Sequence, residues 1–198
     1  MPELKSKLQK ILLEEFAVPN DAFIEIEHEL RNNAKSMGID YNNAITINTN
    51  RPLSSPKDIG DWSQKRKQWG GYGSSWINWV ADKMPHWLAT KFYVIDVNLV
   101  DMISINNKQA KLDFEKQYIT NIKAPKDMAI NFEKLYANGK TGVSFRPFNR
   151  SWSNGLDWYS TIDVDSVVIV NNKKIRSVKL LLDASEIIAD YKDRSNDF

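Results

Sequence analysis

Phe92-Tyr93-Val94-Ile95-Asp96-Val97, followed shortly by Met102-Ile103-Ser104-Ile105, is the stretch that decides the fold. Both runs are rich in β-branched and aromatic residues, which suit a pleated, half-buried surface and predict two strands. Upstream, Ala44-Ile45-Thr46-Ile47-Asn48-Thr49 alternates apolar and polar side chains and predicts a third. Downstream, residues 142–148, 166–170 and 175–182 predict three more, with Asn171-Asn172 as a hairpin turn between the last two. Around these strands the apolar period changes to that of helices. Leu4, Leu8, Ile11, Leu12 and Phe16 predict an amphipathic helix over residues 2–17. Phe23, Ile26, Leu30, Ala34 and Met37 predict a second, ended by Gly38, so that the two form an N-terminal helical hairpin. Further helices are expected after Ser74 or Ser75, over 107–119, around Met128 to Tyr136 and over 184–191. Residues 61–73 end in Gly70-Gly71-Tyr72-Gly73 and read as a flexible loop or a surface helix. Strands and helices do not alternate in a βαβα rhythm. The expected class is therefore α+β, a helical hairpin packed on a mixed, mainly antiparallel sheet.

Length and composition bound the rest. A chain of 198 residues with 42% hydrophobic and 26% charged residues fits one domain with its own core. The division expected is 1–40 for the N-terminal helices, 41–192 for the α+β core and 193–198 for a frayed tail. There is no cysteine, which excludes disulfides, thiolate catalysis and cysteine-held metal centres. The two histidines, His28 and His86, lie in unrelated contexts, so no metal site is expected. No run approaches the length of a membrane span and no apolar leader opens the chain; the expected compartment is the cytoplasm. A net charge of +2 gives no global case for a nucleic-acid partner. Phosphate-loop, dinucleotide-fingerprint and nucleophile-elbow signatures are missing.

Three segments carry chemistry. The first, Trp62 to Trp76, interleaves Lys65-Arg66-Lys67 with Trp62, Trp69, Tyr72 and Trp76. It reads either as a stacking surface with a basic rim or as a surface element anchored by its tryptophans. The second, Phe145-Arg146-Pro147-Phe148-Asn149-Arg150-Ser151-Trp152, leads into Trp158. Its arginines suit an anion or an acidic protein surface, and Arg146, Arg150, Trp152 and Trp158 are its partner-binding candidates. The other reading is a long connection pinned by Phe148 and Trp152. The third is Asp163-Val164-Asp165, two carboxylates on one side of an extended strand, able to share a proton or face water.

From Gly70 to about residue 170, the succession Gly-Tyr-Gly-Ser-Ser-Trp-Ile-Asn-Trp-Val, Phe-Tyr-Val-Ile-Asp-Val, Gly-Val-Ser-Phe-Arg-Pro-Phe and Trp-Tyr-Ser-Thr-Ile-Asp-Val-Asp resembles a set of bacteriophage proteins. Their layout is in turn similar to small ADP-ribosyltransferase-like domains. The resemblance implies a host-directed ADP-ribosyltransferase that uses NAD in the host cytoplasm. By the same resemblance Arg51 meets the dinucleotide, Ser75 supports the ribose, and Tyr72 or Trp76 lies against the nicotinamide. The late acidic motif of that superfamily has no counterpart at Gly142-Val143-Ser144-Phe145; Asp163 or Asp165 could substitute for it, and Asp165 is taken with Arg51 and Ser75 as the catalytic set that the resemblance implies. The alternative function is a non-catalytic protein that inhibits a host protein through the aromatic-arginine loop. A nucleic-acid role would rest on Lys65, Arg66 and Lys67.

Overall fold

The structure, a computed structural model, describes residues 20–195; the helix expected over 2–17, and with it the hairpin, lies outside them. Seven strands form one sheet: β1 (Ile45–Thr49), β2 (Gln68–Tyr72), β3 (Lys91–Val97), β4 (Met102–Ser104), β5 (Gly142–Phe145), β6 (Ser166–Ile169) and β7 (Ile175–Asp183). Their spatial order is β4-β5-β6-β2-β1-β3-β7. Only the β4–β5 pair is parallel, so the sheet is mixed and mainly antiparallel within an α+β chain. Its longest helices are α1 (Asn20–Ser36), α2 (Ser75–Lys83), α3 (Lys108–Tyr118) and, past the shorter α4 (Lys126–Ala129) and α5 (Phe132–Ala137), α6 (Ser185–Ser195).

The sheet curls until its two edges meet at one end. Lys174, just before β7, donates to the Asp101 carboxylate just before β4 at 2.7 Å. Ile45, Ile47, Tyr72, Tyr93, Ile95, Val167 and Ile169 fill the face inside this curl. That set follows the period of two along each strand. The other face carries two separate helical packs. Ile105, Phe114, Leu135, Val143, Phe145 and Trp158 cover it toward β4 and β5. Phe23, Ile26, Leu30, Ile77, Val80, Phe92 and Leu181 cover it toward β3 and β7. A gap is left between the packs, over β6, β2 and β1.

Two expectations are corrected here. Residues 68–72 are neither loop nor surface helix but β2, a central strand paired on both sides. Its glycines, expected to make the segment flexible, serve close approach instead: a Cβ on Gly70 would come within 2.7 Å of the Thr46 carbonyl oxygen. Asn171-Asn172 is not a hairpin turn, because β6 and β7 are separated by β2, β1 and β3. Asn171 instead bridges to Asp61 and caps the 3-10 turn Asn172–Lys174, its side chain accepting from Lys173 N–H. A local turn signal specifies a change of direction, not the strand that is met afterwards. The helix expected around Met128 to Tyr136 is split into α4 and α5, with Asn131 capping the second. Gly139 follows it at φ +68°, as expected of a C′ glycine.

Candidate functional site

The gap between the helical packs is a cleft of about 850 Å³, within the range of small-molecule sites. Its floor is the polar side of the central strands, where Thr46 faces Gly71 and Gly71 faces Ser166 across the ladders. Gly71 brings no side chain to this floor. Asn48, also on it, is fully used: its amide donates to the Ala89 and Lys91 carbonyls and accepts from Ala89 N–H.

One wall is aromatic. On α2, Ile77 and Val80 turn into the helical pack while Trp76, Trp79 and Lys83 face the cleft, the spacing expected of an amphipathic helix. Pro85–Trp87 then forms a 3-10 turn that brings Trp87 alongside. Ring centroids are 5.2 Å apart for Trp76–Trp79 and 5.8 Å for Trp79–Trp87. Trp87 remains 51% exposed, so the cluster presents ring surface to the cleft.

The opposite wall is charged. Trp69 is taken up there: it stacks on Phe145 at 6.1 Å, Lys126 lies over its ring at 5.4 Å, and its indole N–H donates to Asp127 at 2.9 Å. Lys126 also donates to the Thr161 carbonyl, and Asp127 pairs with Lys67 at 3.2 Å. Lys83 pairs with Asp82 at 2.7 Å. Two charges at the cleft have no hydrogen-bond or ion-pair partner among the described residues, the Arg150 guanidinium and the Asp163 carboxylate, both exposed.

This wall hangs on a buried network. Lys111, fully buried on α3, donates to Glu115 at 2.6 Å and Asp157 at 3.0 Å, while Trp158 indole N–H donates to Glu115 at 2.8 Å. Burial alone would raise the Asp157 carboxyl. Hydrogen bonds from Ser153, Asn154 N–H, Lys111 and Ser160 N–H outweigh it and hold the group below the usual carboxylate range. The segment leading to Ile162, Asp163 and Val164 is thereby fixed at both ends, the far end by Asp165, whose carboxylate accepts from Phe148 N–H at 2.6 Å and lies 3.5 Å from Arg146.

The structure disperses much of the expected site. Trp76 lines the cleft, and so does Arg150. Arg51 does not: it is exposed beyond β1 and donates to the Asp58 carbonyl at 2.7 Å. Ile45 pairs with Tyr72, so Ser75 sits at the start of β1 and Arg51 past its end. The five-residue strand between them is about 13 Å long. The structure thus brings Ser75 and Asp165 together and leaves Arg51 apart from them. The Ser75 hydroxyl accepts from Tyr72 N–H at 3.0 Å and donates to the Asp165 carbonyl at 2.8 Å. Tyr72 is buried, shares a 2.8 Å hydrogen bond with Ser144, and carries Arg146 over its ring at 4.7 Å. Burial pushes its hydroxyl pKa up, and it offers no ring face to the cleft. Asp163 and Asp165 precede β6 rather than sharing one side of a strand.

In the partner-binding loop, Trp158 is fully buried, so its side chain cannot form part of a docking surface. Trp152 is half-buried and tilted against Tyr159 at 6.3 Å. The basic trio is largely neutralised: Lys65 lies 3.5 Å from Glu133, Lys67 pairs with Asp127, and Arg66 points to the Lys57 carbonyl. Sequence reasoning missed Trp87, Lys126 and Asp163 as neighbours. The one available signal was Trp76 and Trp79 at helical spacing, with Trp87 beyond a proline. Among the described residues no helix is long and apolar enough to cross a membrane, and no cluster of three or more metal-ligating groups occurs. No family model, curated protein or solved structure matches the chain.

Proposed function

We propose that the cleft binds a dinucleotide of the NAD class, as expected for an ADP-ribosyltransferase-like protein, and that binding rather than transfer is what the site supports. The observation that carries this reading is the pairing of an open tryptophan wall with the unpaired Arg150 guanidinium in one cleft. Flat rings stack on indole, and arginine forks suit phosphate oxygens. Transfer of ADP-ribose would require a carboxylate beside the reacting ribose. Asp165 is committed to Phe148 and Arg146, which argues against the set expected from the resemblance. Calorimetry with NAD, nicotinamide and ADP-ribose tests the reading. Micromolar NAD binding that weakens in Trp87→Ala supports it, and no heat at millimolar NAD overturns it.

A second reading, a non-catalytic inhibitor of a host protein, is favoured by one observation. Leu156 is 92% exposed in the loop that also carries exposed Arg150. An exposed apolar residue and a free cation on one loop suit an acidic protein surface. A candidate partner retained equally by Arg150→Glu and Leu156→Asp variants removes it.

A further inference from the structure

We infer that the face around the 3-10 turn Pro56–Asp58, just beyond β1, is a polyanion site suited to the phosphodiester backbone of a nucleic acid. It lies outside the cleft, whose lining includes none of its residues, and it does not depend on what the cleft binds. Four exposed cations gather there: Arg51, Lys57, Arg66 and Lys173. Among the described residues none of the four pairs with a carboxylate, whereas Lys65, Lys67, Lys174 and Arg176, their neighbours in sequence, all do. Of the basic trio, only Arg66 belongs to this face.

Contacts to one turn hold the group together. Arg51 donates to the Asp58 carbonyl at 2.7 Å and Arg66 to the Lys57 carbonyl at 3.5 Å. The Asn172 amide, next to Lys173, donates to the same Lys57 carbonyl at 3.5 Å. A carbonyl contact orients a guanidinium but leaves its charge in place. The carboxylates of this region, Asp58 and Asp61, are spent on their own turns. Asp58 accepts from Ser54 and Ser55 N–H at 2.7 and 2.8 Å, and Asp61 from Ser63 N–H at 3.0 Å. Cations gathered in this way repel one another, a cost that a bound anion relieves.

Two features favour a phosphate strand over an acidic protein. Arginine forks match phosphate oxygens, and charges spread over several residues suit a repeated anion rather than a single one. The face also has no large exposed apolar side chain, since Leu53 and Ile59 are buried. It therefore lacks the apolar anchor around which protein interfaces are built. Phosphate contacts carry no sequence information, so binding is independent of sequence.

The experiment is fluorescence anisotropy of the full chain with a labelled oligothymidylate and a labelled duplex, each of about 20 nucleotides per strand, over a range of salt concentrations. Four phosphate contacts predict that log affinity falls against log salt with a slope of about −3 for the single strand and about −3.6 for the duplex. Lys57→Ala combined with Lys173→Ala removes two ammonium groups that make no contact among the described residues. The melting temperature should hold, while the single-strand slope halves to about −1.4. Binding of either strand form with these slopes supports the proposal. No binding at low salt, an unchanged slope in the double variant, or equal competition by polyglutamate overturns it, the last by showing that any polyanion suffices. NAD affinity should be the same in the double variant and the unaltered chain, so this proposal and the cleft reading fail separately.

Discussion

The two walls of the cleft are held by opposite means. The wall running from Arg150 to Val164 is fixed from behind by buried charge, with Lys111 between Asp157 and Glu115. The wall of Trp76, Trp79 and Trp87 is held by ring contacts and one short helix, and keeps a face toward solvent. Buried ions cost desolvation and return it only when every partner is in place, so they fix one geometry. Indole contacts are less directional and leave surface free for a further ring. One wall positions; the other is free to bind.

The sharpest way to break this contrast is Lys111→Met. It strips the cation from the buried Asp157 carboxylate and from the largely buried Glu115, an expected loss of about 3–5 kcal/mol. Urea denaturation should show the midpoint fall by that equivalent; an unchanged midpoint would mean that the network fixes nothing. Trp87→Ala should do the reverse. The ring is half exposed, so the fold should persist while NAD affinity drops about tenfold, the order of one stacking contact. Calorimetry beside a melting curve separates the two effects, and a cooperative loss of fold would place Trp87 in the core instead.

Acid sharpens the comparison further. Asp157 is lowered in the folded chain relative to an ordinary carboxylate, so the unfolded chain binds protons first as pH falls. Its stabilisation is present above the unfolded value near 4 and is lost as pH drops through the lower folded value. Melting between pH 6 and 2 should therefore show a loss that is smaller in Asp157→Asn. The tryptophan wall contributes no such dependence. Arg51→Ala is expected to have the smallest effect, leaving NAD affinity within about twofold because the residue lies outside the cleft. A large loss would restore Arg51 to the site.

How much of this was legible depended on whether the cause was local. The strands around Phe92 and Ile45 were read from β-branched alternation because each such residue carries its own preference for a pleated surface. Gly38 could be read at a helix end because capping is a contact within one turn. Lys111 was not legible. A lysine at a regular helical position reads as solvent-facing, and only Asp157, 46 residues on, explains its burial. The same holds for Asp163, Arg150 and Trp87, whose proximity depends on which faces of the sheet the helices leave uncovered.

The sequence by itself determined the α+β class, six of the seven strands, and the helical spacing that puts Trp76 and Trp79 on one side of α2. Propensity, period and capping act within a few residues and are written in them. The tertiary structure alone decided the strand order, the place of β2 in the centre of the sheet, and the cleft with its two unpaired charges. Those depend on contacts between distant segments, which curl the sheet and leave one stretch of its face uncovered.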